Sequence, residues 1–249
     1  MRRPRLTVSP ADCGAVVMGT GIVSLALSLD GRETLARLLL TLTALAWLVL
    51  VPLFAGQVAR ARRELEAPGS LTAVAGTAVL RRRSTPTVGA AFLVTVATES
   101  LAALAGEVAV GEDARWLLDA ALAPFLLGLV LYPVVAVRFD RRQVTSGRGD
   151  HWVAGGALAI SALAGAEIVS GADGLSTLGA VAPIVQAVAV VAWVLAALWL
   201  PVLVAGELVQ PRLRYSPRRW STVFPEGMYA ASSLALGAVT QAGAMTGFA

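Results

Sequence analysis

Lysine is absent from this 249-residue chain, and cysteine and histidine occur once each, as Cys13 and His151. A single cysteine excludes an intrachain disulfide and a cysteine-rich metal site, and a single imidazole excludes a relay between histidines. No HExxH, no GxSxG and no phosphate-binding glycine loop occurs, and Gly19-Thr20-Gly21 lacks the strand-loop-helix setting of a nucleotide site. These absences argue against an enzyme, and no cofactor or metal is expected. Charge is also scarce: 14% of residues are charged against 57% hydrophobic. With a mean hydropathy of +0.73, such a chain cannot solvate itself as a water-soluble globule, so the lipid bilayer is its expected solvent.

What is present is a series of apolar runs. A helix needs roughly 20 apolar residues to cross about 30 Å of hydrocarbon, so the length admits seven or eight spans and no extramembrane domain. The runs predict an all-α transmembrane helical bundle, one domain over 1–249, with spans near 11–29, 34–59, 87–106, 115–137, 152–170, 178–204 and 225–247. The basic start ahead of the first run has the form of a signal peptide, but the later segments need that run as a partner, and it is read as a span. Residues 71–80, LTAVAGTAVL, are too short to span and are flanked by arginine on both sides. They read as a re-entrant or interfacial piece, or as a loop.

The basic residues are all arginine, and their distribution gives the sidedness. With a cytoplasmic N-terminus, alternating spans put 17 arginines inside and leave only Arg32, Arg37 and Arg115 outside, where Asp30, Glu33, Glu107, Glu112, Asp113 and Asp173 collect. That split follows the positive-inside rule, so topology accounts for the basic balance and no nucleic-acid partner is expected. An odd number of spans then leaves the C-terminus outside. An acidic outer mouth would repel anions unless its carboxyls are paired or neutral.

Glu99 is the residue that stands out inside a span. An ionised carboxylate there costs on the order of 3 kcal/mol, so it should face protein or water. It reads either as a titrating group on a pathway or as a neutral carboxyl bonded within the bundle, to Thr95 or Thr98. His151 and Trp152 read as interfacial anchors. Prolines at 52, 124, 133, 183 and 201 fall inside spans and can kink them.

Three stretches, SPADCGAVVMGTGIVSLAL, GDHWVAGGALAISALAGAE and RLRYSPRRWSTVFPEGMYAA, resemble the tellurite-resistance and C4-dicarboxylate transporter family, which includes the slow-type anion channels of plants. They are similar to its first, seventh and ninth helices, and AAFLVTVATESLAAL is similar to its fifth. The resemblance implies ten helices in five hairpins, odd-numbered helices forming an inner ring around a pore and even-numbered ones an outer ring. This chain then lacks the third and fourth helices, with LTAVAGTAVL as a stub of the third, and stops before the tenth. Loss of two consecutive helices keeps the parity that the arginines require.

By the same resemblance, Phe224 is the residue that constricts the pore and Gly19, Thr20 and Gly21 lie along it; packing explains all four as well. Glu99 stands where the family pattern suggests a neutral polar residue. The implied function is transport or conduction of a small anionic solute, a C4-dicarboxylate, tellurite-type oxyanion or halide, across a plasma membrane by a homo-oligomer, a trimer with one pore per subunit. The alternatives are a shortened, non-transporting membrane subunit and proton-coupled efflux of a neutral or cationic solute through Glu99.

Overall fold

In hydrocarbon a backbone has no water to bond, so an isolated apolar run is stable there only as a helix that satisfies its own amides. The computed structural model describes residues 10–65, 88–146, 149–172, 178–211 and 220–241. Their seven long helices are α1 (Pro10–Leu29), α2 (Glu33–Leu65), α3 (Leu93–Gly111), α4 (Arg115–Ala136), α5 (Val153–Ala172), α6 (Ala182–Val209) and α7 (Trp220–Thr240). Short 3-10 turns, Gly89–Phe92 and Asp150–Trp152, lead into α3 and α5. The segment 71–80 and the end of the last expected span, 242–247, lie outside the described residues.

Boundaries differ most from the sequence reading at four helices, α2, α3, α6 and α7. α3 covers Leu93–Gly111 where the apolar run predicts 87–106. α2 runs on to Leu65, past its apolar portion Glu33–Leu53, because the Ala, Arg, Glu and Leu that follow are strong helix formers. α6 starts at Ala182, which places Pro183 in its first turn, where an amide has no intrahelical partner to lose. α7 starts at Trp220, so Pro225 lies inside the helix and frees only the carbonyl one turn back.

Five helical stretches are long and apolar enough to cross a membrane: Glu33–Leu53, Gly89–Gly111, Arg115–Ala136, Val153–Ala172 and Ala182–Val209. α1 contributes the shorter apolar stretch Gly14–Leu29. α7 is outside this group because it carries Ser221, Thr222, Glu226, Ser232 and Ser233. A helix enclosed by others tolerates such residues: Ser233 is fully buried, bonds back to the Tyr229 carbonyl and accepts the Trp193 indole N–H at 2.8 Å.

Two tight turns make hairpins. After α1, Gly31 takes φ +77°, the left-handed region open to glycine. Its N–H donates to Ser28 O at 2.9 Å and that of Arg32 to Leu27 O at 2.8 Å, the paired bonds that close a helix in a Schellman motif. After α3, Asp113 takes φ 50° and the Ala114 N–H reaches back to Ala109 O at 2.9 Å. Both turns reverse the chain, setting α1 against α2 and α3 against α4.

α1, α7, α5 and α3 pack one on the next in that order; α2 packs on α1, α4 on both α3 and α5, and α6 on α5. Among the described residues α1 and α3, the ends of the row, share no sizeable contact. α5 is the centre, with 83% of its apolar window buried against 6% for α2. Its small residues make this fit: a Cβ on Gly165 would lie 2.6 Å from Ala189 Cβ of α6, and one on Gly156 3.1 Å from Pro225 Cβ of α7. Lipid tails are as apolar as leucine, so such close approach, rather than hydrophobicity, is what holds membrane helices together.

Candidate functional site

The residues singled out from the sequence fall at two separate places on either side of α5. Gly19, Thr20, Gly21 and Phe224 belong to the α1–α7 side, and Glu99 to the junction of α3, α4 and α5.

On the first side α1 meets α7 through glycines. A Cβ at Gly19 would come 3.1 Å from Trp220 Cε3, and one at Gly227 2.6 Å from Ile22 Cγ2. Thr20 and Gly21 turn toward α2 instead. Thr20 Oγ1 donates to Val16 O at 2.9 Å and lies 2.8 Å from Thr43 Oγ1, while a Cβ at Gly21 would touch Thr43 Cγ2 at 3.4 Å. Of the three, Gly19 is the one in the inner-row contact.

Phe224 is 7% exposed. Its direction follows from the helical period. Trp220, Val223 and Gly227 form the stripe that faces α1, and Pro225 and Tyr229 the stripe against Gly156 and Gly155 of α5. Phe224 lies between those stripes, about 40° around the helix from Trp220 and about 100° from Pro225. Ser233, nine residues on and therefore about two and a half turns away, faces α6 on the opposite side. Phe224 is thus directed to the side of the row away from α6, its inner side. Tyr229 fixes the rotation of α7 by donating to Ala196 O of α6 at 2.8 Å.

Glu99 is fully buried. Ser161 Oγ of α5 stands 2.9 Å from its Oε1, and Gly128 of α4 makes room for it, since a Cβ there would lie 2.5 Å from Glu99 Cδ. The expected local partners do not serve. Thr98 Oγ1 bonds to the carbonyls of Val94 and Thr95 at 2.9 Å, and Thr95 Oγ1, also fully buried, has no hydrogen-bond partner among the described residues; nor has Glu99 Oε2. Gly106, two turns further along the Glu99 face of α3, packs on the backbone of Glu167 and Ile168 in α5. Glu99 therefore faces α5 and α4, on the side of α5 opposite the Gly155 and Gly156 stripe that meets α7.

Sequence reasoning missed Ser161 and Gly128, the two residues that define the surroundings of Glu99. A glycine between Pro124 and Pro133 in an otherwise bulky apolar helix was the available signal for the second. It also misjudged the 3-10 turn before α5: His151 and Trp152 are 1% and 5% exposed, packed among the start of α5, α7 and the turn leading into α3, and not at a lipid interface.

Comparison with known proteins matches residues 69–249 to the model of the voltage-dependent anion channel family. The match includes α3 to α7 and leaves out α1 and α2, so Gly19, Thr20 and Gly21 lie beyond it. An uncharacterised membrane protein of Mycobacterium tuberculosis, found in two strains, is 41% identical over 92 residues, which are 35% of this chain. The chain spans about half, 46%, of the length of these relatives. No solved structure matches. A bundle of apolar helices, most of it lying within the matched residues, makes this a multi-pass membrane protein, and the chain belongs to the voltage-dependent anion channel family.

Proposed function

We propose that this protein moves a small anion, a C4-dicarboxylate, a tellurite-type oxyanion or a halide, across the cell membrane along the inner side of the row α1, α7, α5 and α3. The observation that carries this reading is Phe224: an aromatic ring on α7, between the stripes that face α1 and α5 and opposite the α6-facing Ser233, in the part of the chain that matches an anion channel family. A bulky ring at that place narrows any path beside α7. Gly19 supports the same path by letting α1 approach α7 through Trp220.

The proposed orientation has a cytoplasmic N-terminus and an outer C-terminus, supported by 17 arginines on one side of the alternating spans and three on the other. With the row open between α1 and α3, closure by further copies of the chain, a trimer by family analogy, is part of the same proposal. The test is uptake of labelled malate, chloride and tellurite into proteoliposomes. At least one should enter, and Phe224→Ala should raise its flux. Folded protein that passes none of the three rejects the reading.

A further inference from the structure

The surroundings of Glu99 contain more hydrogen bonds than Ser161 can make alone. Ser161 Oγ lies 2.9 Å from Glu99 Oε1 and 3.0 Å from Ala157 O, both acceptors when Glu99 is a carboxylate, yet a serine hydroxyl supplies one proton. Both bonds form at once if the second proton resides on Glu99: the acid O–H donates to Ser161 Oγ, and the Ser161 O–H donates to Ala157 O. We infer that Glu99 and Ser161 form a proton-binding site in the membrane interior, at the junction of α3, α4 and α5, and that loss of the proton must loosen α4 from α3 at Gly128.

The second half follows from packing and charge. Gly128 closes one face of the Glu99 carboxyl with no room for a Cβ, and Glu99 Oε2 has no hydrogen-bond partner among the described residues, so a carboxylate there would lack the bonds it needs. Nor does a cation stand by on the described residues of the packed helices. The ionisable groups of the packed helices are Glu107 on α3, Arg115, Asp119 and Tyr132 on α4, and Glu167 on α5. All but Tyr132 lie about 9 Å or more along their helices from Glu99 or the residues it touches. Tyr132, one turn from Gly128, shares a hydrogen bond with Trp199 Nε1 at 3.2 Å. The site lies on the opposite side of α5 from the face that meets α7, which carries Phe224, so a proton there would act on a solute passing Phe224 through helix packing and not by contact.

The measurement is infrared spectroscopy of the whole protein in lipid vesicles as the pH is changed. A carboxylic-acid carbonyl band should be present, should shift when glutamate is labelled with carbon-13, should be lost in Glu99→Gln, and should change frequency in Ser161→Ala. The isotope shift needs no substitution, so the test survives a variant that does not fold. A spectrum without an acid band from a buried glutamate, or a band indifferent to Ser161→Ala, overturns the site. The coupling is read from anion flux, which rests on the function proposed above: native flux should vary with pH and that of Glu99→Gln should not. Native flux indifferent to pH overturns the coupling, whereas an acid band in a protein without flux upholds the site and rejects anion movement alone.

Discussion

Glu99 and Gly128 make a pair whose energetics can be separated. Gly128→Ala would put a methyl group 2.5 Å from Glu99 Cδ, between helices that have no slack. Overpacking of this kind costs about 1 to 3 kcal/mol, so the variant should unfold at lower temperature in detergent. Adding Glu99→Ala should restore most of that loss, since the methyl would then occupy the space left by the carboxyl. A double variant no more stable than Gly128→Ala alone would mean that Glu99 is not what fills the gap. The sequence made Glu99 conspicuous because a carboxylate in an apolar run is costly wherever it points. It did not reveal Ser161, 62 residues away, because a hydrogen bond between helices leaves no trace in the local period. Thr95 and Thr98 were the visible candidates only because they are neighbours in sequence.

At the scale of helices, apolar run length made the seven elements legible, yet it said little about which of them is central. α2 and α5 have similar mean hydropathy, 2.0 and 1.6, although one is almost wholly exposed and the other almost wholly enclosed. The physical difference is side-chain volume. Leu35, Leu38, Leu42, Leu45 and Trp47 give α2 a bulky surface suited to lipid, while the glycines and alanines of α5 admit four neighbouring helices. Substitutions should therefore act in opposite ways on the two. Gly165→Leu drives a branched side chain into Ala189 and should cost more than about 2 kcal/mol or prevent folding, whereas Leu45→Val on α2 should stay within about 0.5 kcal/mol of the native protein. Thermal denaturation of the purified protein measures both. Equal losses would place α2 against protein and contradict its exposed position.

For the molecule as a whole, the open question is which side each loop occupies, and there the arginine pattern and the helix geometry make one joint prediction. α4 runs from Arg115 to Ala136, about 33 Å of helix, enough to carry the chain from one face of the hydrocarbon to the other. Asp113, in the turn before it, and Arg141, in the loop after it, are both exposed and must then lie on opposite sides. With Cys13 replaced by serine, Asp113→Cys should react with a membrane-impermeant maleimide added to intact cells, and Arg141→Cys only after the membrane is opened. Labelling of both from the same side would remove α4 as a span, and with it the row of helices on which the proposed path depends. Labelling in the reverse order would keep the bundle but invert it, placing most of the arginines outside against the bias that membrane insertion imposes. The experiment thus separates the architecture, which rests on helix length and packing, from the orientation, which rests on charge alone.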